Sequence, residues 1–315
     1  MIVLNIGISS CLIGKNVRYD GRHKRDHFLT ETLGKFVTWI PVCPEVECGL
    51  PVPREAMRLV GTPDTPRLVT RTTKQDHTKR MTGWAKKKVR DLEAKDLCGF
   101  VFKSRSPSSG MERVKIYDIN NRSVRMGKGI FAMAFMSAFP QIPVEDEGRL
   151  HDPDIRENFI ERIFTFRRWK DLIAAGKTIN GLIRFHSVHK YLIMAHSPEH
   201  LRKLGKMVAG AKKEQPSVLF DSYGSELMNA LKLRSTVKKN TNVLQHMLGY
   251  FKKQLNADEK KELLDTISNY HKGLVPLIVP ITLLNHYTLK YKEPYLRTQI
   301  YLHPHPVELM LRNHV

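Results

Sequence analysis

A chain of 315 residues is long enough for one large domain or two of ordinary size, and a hydrophobic fraction of 41% supplies a core and excludes intrinsic disorder. No apolar run approaches the roughly 20 residues of a membrane-spanning helix. The net charge of +21 is shared evenly, with 26 Lys+Arg against 16 Asp+Glu in residues 1–150 and 26 against 15 in residues 151–315. A positive field spread over both halves points to a polyanionic partner, nucleic acid before an anionic membrane surface, because neither terminus offers a basic amphipathic anchor.

The opening segment "MIVLNIGISSCL" lacks the basic start and small-residue cleavage site of a secretory signal, so it reads as a first strand and the expected location is cytoplasmic. Along the first 150 residues short apolar strands alternate with helical stretches, which predicts an α/β domain with a Rossmann-like open sheet. Strands are expected over 3–8, 37–42, 99–103 and 114–117, and helices over 26–35, 76–95 and 128–139. The helix over 76–95 carries a strongly basic outer face. "FPQIPVEDEGRLHDP" (139–153) then breaks the alternation with three prolines and an acidic cluster, and the domain boundary is placed there, near 149–152. From residue 155 the pattern becomes helix after helix. Phe159, Ile163, Phe166 and Leu172 recur at roughly helical spacing before Gly176. Ser197 followed by Pro198 reads as an N-cap with proline at the first helical position, and Asp258 gives a later helix an acidic first turn. Residues 151–315 are therefore expected to form an all-α domain.

Four cysteines, Cys11, Cys43, Cys48 and Cys98, all lie in the first third of the chain. In a cytoplasmic protein they are not expected to form structural disulfides. Cys98, embedded in "LCGFVF", reads as a small buried hydrophobe. Cys11 and Cys43 each follow a predicted strand, in "SSCLIG" and "PVCPE", and "KSRSPSSG" (103–110) follows a third. In an open α/β sheet these carboxyl ends are where ligands bind. Thiolates converging there from separate loops suit an iron–sulfur cluster or zinc. No C-x-x-C pair is present, and Ser109 stands where a third thiol is wanted, so spacing alone does not favour a metal site.

The motifs go further. "SSCLIGKNVRYDG" (9–21), "PVCPEVECGLPVPRE" (41–55) and "KSRSPSSGMERVKIYD" (103–118) resemble, in order and spacing, three signature segments of the thiouracil desulfidase family. The second half, with "FHSVHKYLIMAHS", "VLQHMLGYFKK" and "YLHPHPVELMLRN", resembles the helical domain fused to that fold in bacterial tRNA 4-thiouridine desulfidases. The resemblance covers essentially the whole chain. It implies a [4Fe–4S] cluster held by only three cysteines, with the fourth iron free to take the sulfur of a thiocarbonyl base. On the family pattern Cys11 and Cys43 match the first two ligands, Glu45 the catalytic carboxylate and Ser106 the catalytic hydroxyl. The third ligand is the cysteine of "SPSCG", and that position is Ser109 here. The implied activity is removal of sulfur from 4-thiouridine in tRNA, with tRNA as the partner. A desulfidase of free thiouracil or its nucleotide is the alternative enzyme, against which the basic helical half argues. A non-catalytic RNA-binding or regulatory protein with a decayed cluster site is the alternative of a different class.

The residues agree with these implied roles. A carboxylate two positions from a ligand is well placed to move a proton, whereas a serine hydroxyl is a hard, weakly acidic donor that holds iron poorly. Three accounts of Ser109 are open: an engineered Cys→Ser change, favoured because every other motif position is intact; a natural degenerate member; or rescue by another thiol, for which Cys48 is the candidate. Arg18, Arg54, Lys103 and Arg105 flank the motifs and read either as contacts to the phosphate or ribose of a nucleotide or as a solvated basic rim, with Arg54 the favoured contact. In the second half, His186, His189 and His196 are better explained by helix packing than by metal. "KKNTNVLQHMLGYFKK" interleaves basic residues with aromatics, which suits stacking and phosphate contacts to RNA as well as it suits an amphipathic helix with a solvated basic face.

Overall fold

The computed structural model describes residues 4–118 and 122–314. The chain divides between Asp152 and Pro153 into two units. Among the described residues the first unit holds the strands β1 (Asn5–Ser9), β2 (Thr38–Val42), β3 (Met57–Gly61), β4 (Pro66–Thr70), β5 (Leu97–Phe102), β6 (Val114–Tyr117), β7 (Ser123–Gly127) and β8 (Val144–Asp146). Its helices are α1 (Pro44–Glu47), α2 (Thr78–Glu93) and α3 (Ile130–Ala138). The α/β expectation holds. β2, β1, β5 and β8 form one parallel sheet in that order. All six residues of β5 are buried, which is why "LCGFVF" is apolar throughout rather than alternating. Phe100 and Phe102 stack at 4.3 Å and pack with Phe131 and Phe135 of α3. The approach is so close that a Cβ on Gly7 of β1 would lie 2.1 Å from the Phe100 ring.

Three features depart from the expected elements. Residues 26–35 form no α-helix; a π turn over Phe28–Thr32 runs into a 3-10 turn over Leu33–Lys35. Two threonines and a glycine there are poor helix formers, and Asp26 ties the backbone locally by accepting the Leu29 N–H at 2.9 Å. A second sheet, in the order β4-β3-β6-β7, was foreshadowed only by β6. It is mixed: β3 pairs antiparallel with β4 and parallel with β6, and β6 pairs antiparallel with β7. Third, the stretch 139–153, read as a break in the alternation with the boundary near 149–152, contains β8 ahead of that boundary; β8 pairs with β5 through Phe100↔Val144 to Phe102↔Asp146. Residue 3, the first position of the expected first strand, lies outside the described residues.

The second unit is helical, with α4 (Pro153–Ala174), α5 (Ile179–His196), α6 (Pro198–Ala209), α7 (Pro216–Lys232), α8 (Val237–Leu248), α9 (Ala257–His271), α10 (Ile278–Lys290) and α11 (Pro294–Arg297). The expected cap is present: Ser197 accepts the His200 N–H at 3.3 Å and Pro198 opens α6. Asn256 and Glu259 complete a reciprocal capping box at α9. Trp169 stacks with Phe220 and Tyr223 in the core. His189 and His196 are buried, and His196 bridges Leu233 O and Glu161. Arg312 ties the chain's end to α4 by donating to Glu157 at 3.1 Å and Glu161 at 2.8 Å. In the "KKNTNVLQHMLGYFKK" segment Phe251 is fully buried, so it offers no stacking surface, while Tyr250 stacks on Tyr295 at 5.2 Å. No helix is long and apolar enough to cross a membrane among the described residues.

Candidate active site

In the parallel sheet the chain leaves β1 for β2 on one side and later returns to β5 on the other. Loops after neighbouring strands therefore diverge and open a crevice at the carboxyl ends of β1 and β5. A cavity of about 620 Å³ sits there, and Cys11, Cys43, Glu45, Ser106 and Ser109 all line it. Cys11 lies in a 3-10 turn over Ser10–Ile13, directly after β1, which ends at Gly14 with φ 89°. Cys43 is the residue before α1, and its N–H donates to Glu47 Oε1 at 2.8 Å. Burial pushes the Cys11 thiol up to about 11, against the pull of the Lys103 charge and with the help of nearby Cys43. Burial raises the Cys43 thiol as well. Both are protonated near neutrality, so a metal binding there must displace two protons.

Ser109 sits in the tight loop 106–110, where the Gly110 N–H donates to Ser106 O at 2.7 Å. The start of α3 clamps this loop: Gly129 N donates to Gly110 O at 2.7 Å and Phe131 N to Ser108 O at 2.9 Å. A Cβ on Gly129 would come within 2.5 Å of the Ser108 backbone, so only glycine allows this packing. Ser109 is 4% exposed and presents to the cavity a hydroxyl in place of a thiol. Neither remaining cysteine can replace it. Cys48, the candidate for rescue, donates to Glu45 O at 3.3 Å and packs against the core of the second sheet, away from the cavity. Cys98 is fully buried at the opposite end of β5, its thiol 3.8 Å from Asp96 O.

Glu45 is the hub of a hydrogen-bonded chain. Ser108 Oγ donates to its Oε1 at 2.7 Å, and Ser108 Oγ is 3.1 Å from Ser106 Oγ. Arg54 Nε donates to Glu45 Oε2 at 2.8 Å, and its Nη2 pairs with the same oxygen. The rest of the guanidinium donates to Pro51 O at 3.2 Å and Val17 O at 2.9 Å. Arg54, the contact favoured from the sequence, is on the cavity wall with its side chain 6% exposed and held by Glu45, so it is not a solvated rim. It positions Glu45. Lys103 lines the cavity and pairs with Glu147, which also accepts from Ser104 N at 2.7 Å and Ser104 Oγ at 2.9 Å. Arg18 lies on the cavity wall, 3.3 Å from Asp20, and Arg105 is exposed on it with φ 56°. Ser108, Glu147 and Arg149 were missed from the sequence. The second serine of "SPSSG" and the acids of "VEDEG" were the available signals, but each gains meaning only from a partner distant in the chain.

Residues 6–147 match the family model described as 2-thiouracil desulfurase. The first unit is a 2-thiouracil desulfurase family domain. Residues 190–306 match a second family, a protein of unknown function (DUF1722), so the desulfurase domain is joined to a DUF1722 domain. The chain is 31% identical over 153 residues to the uncharacterized protein YbgA of Escherichia coli (strain K12), spanning 48% of this chain and 90% of that relative, and belongs to the same family as it. A solved structure of a [4Fe-4S]-dependent thiouracil desulfidase, TudS, is 28% identical, covering 47% of this chain and 94% of that chain at a TM-score of 0.37. Within the desulfurase domain, the three positions matched to cluster ligands supply two thiols, of Cys11 and Cys43, and one hydroxyl, of Ser109, on the cavity wall.

Proposed function

We propose that this protein is a desulfidase that replaces the sulfur of 4-thiouridine in tRNA by oxygen, at a [4Fe–4S] cluster whose protein positions are Cys11, Cys43 and residue 109. The observation that supports the reading is the meeting of Cys11, Cys43, Glu45, Ser106 and Ser109 on one cavity wall within a 2-thiouracil desulfurase family domain. The cluster, when bound, supplies a soft iron suited to a thiocarbonyl sulfur. Two donors fit that group and the third does not, because a serine hydroxyl at residue 109 gives up its proton far less readily than a thiol. Chemistry that this chain's own residues perform is proton movement. Ser106 reaches Glu45 through Ser108, so the proton of the Ser106 hydroxyl has a path of two hydrogen bonds to the carboxylate. Arg54 keeps that carboxylate turned toward the cavity. The positive charge of both halves supports a polynucleotide rather than a free base as the substrate.

The test is sulfide release, measured after anaerobic reconstitution with iron and sulfide, for the chain as it stands and for Ser109→Cys. Ser109→Cys should hold more iron and release sulfide from 4-thiouridine-bearing tRNA. Conversion of 2-thiouracil with none of tRNA would overturn the substrate. The Ser109 hydroxyl also favours a second reading, a non-catalytic RNA-binding protein, in which case Ser109→Cys gains no activity on either substrate.

A further inference from the structure

A second cavity of about 580 Å³ adjoins the first, with Tyr19, Arg105 and Arg113 on the walls of both. Its floor is the outer face of the second sheet. In β3 and β6, Leu59 lies opposite Ile116 and both are fully buried, so the alternation of the strands turns Arg58, Lys115 and Tyr117 the other way. Lys115 pairs across the next strand with Met126, which is 56% exposed. Arg58 lies over the Tyr117 ring at 5.3 Å. Arg71 adds a further cation at the edge. Among the described residues lining this groove, Glu45 is the one acid, and it is occupied by Arg54.

Five cations and two tyrosines lining one groove, with Arg58, Lys115 and Tyr117 on its sheet floor and the rest on the loops around it, are an unusual surface, since protein surfaces ordinarily intersperse both signs. Cations that track a backbone, with aromatic rings for bases, are the chemistry of single-stranded nucleic acid recognition. The position adds the rest of the argument. A thiolated base can reach the first cavity only when unstacked from its neighbours. Its flanking nucleotides must then leave over the shared rim at Tyr19, Arg105 and Arg113, and the groove is what lies beyond it. We infer that the outer face of the second sheet is a subsite for the single-stranded nucleotides adjoining the base held in the first cavity, with phosphates on Arg58, Arg71 and Lys115 and a base against Tyr19 or Tyr117. This rests on the RNA reading of the substrate given above.

The experiment needs no cluster. Full-length protein is titrated with a fluorescent single-stranded oligoribonucleotide carrying one internal 4-thiouridine, over a salt series. Arg71→Ala/Lys115→Ala is compared with Lys86→Ala/Lys87→Ala, which removes the same charge from the exposed face of α2. Each lost phosphate contact flattens the salt slope by about 0.7 for a single strand, so the groove pair should flatten it by about 1.4 and weaken binding roughly 25-fold at ~0.1 M salt. The α2 pair should change both far less. Equal weakening by the two pairs, or no weakening by the groove pair, would overturn the subsite while leaving RNA as the substrate. Failure of the parent protein to bind the oligonucleotide at all would overturn the RNA reading and the subsite with it.

Discussion

Replacing Arg54 by methionine removes the partner of Glu45 while keeping much of the side chain's volume. In the folded protein the Arg54 side chain is 6% exposed and that of Glu45 14%. The substitution strips the carboxylate of its cation and leaves the carbonyls of Pro51 and Val17 without these donors. Removing one partner of a buried pair costs about 3–5 kcal/mol, chiefly because the other charge stays desolvated. Glu45 keeps the Ser108 hydroxyl and an edge on the cavity, so the lower end, about 3 kcal/mol, applies. For a unit of this size, that lowers the melting temperature by roughly 6–12 °C. Scanning calorimetry of the full chain reads this directly. The decisive comparison is Arg54→Met with Glu45→Gln in one chain. Neutralising the stranded carboxylate should return part of the loss, so the double variant should melt above Arg54→Met alone. A double variant no more stable than the single one, or an Arg54→Met protein that melts with the parent, would refute the buried-pair reasoning.

Three further outcomes follow from the same geometry. Ser108→Ala breaks the path from Ser106 to Glu45 at its middle, so in a reconstituted Ser109→Cys background sulfide release should fall on the order of 10²-fold with little change in melting; a rate within twofold would exclude the relay. Because burial raises the Cys11 thiol from 9.0 to about 11, the unfolded chain ionises first as pH rises. The stabilising contribution is complete below pH ~9 and lost toward pH ~11, up to about 3 kcal/mol, and urea midpoints measured across this window should fall less steeply for Cys11→Ala. Gly129→Ala forces a methyl group against the backbone of Ser108 and Ser109 and should destabilise the first unit by about 1–3 kcal/mol, read as a lower melting temperature.

By itself, the sequence determined what depends on local order along the chain. The apolar run of β5, the turn from strands to helices, the Ser197 N-cap and the strand-end placement of Cys11, Cys43 and the serine loop are set by neighbours a few residues apart, and each is legible as periodicity or motif. Partnerships across the fold were not. Ser108 meets Glu45 across 63 positions, and nothing in "SPSSG" says which serine will do so. Arg54 read as a nucleotide contact because its charge is visible in the sequence and its pairing with Glu45 is not. The acids of β8 read as a break in the alternation because an edge strand can carry charge when a neighbour satisfies it, and here Arg149 donates to Glu145 at 2.6 Å. Cys48 is five residues from Cys43, yet the single turn of α1 between them sends one thiol to the cavity and the other to the core. Side-chain direction and strand order, which decide who meets whom, exist only once the sheets have assembled.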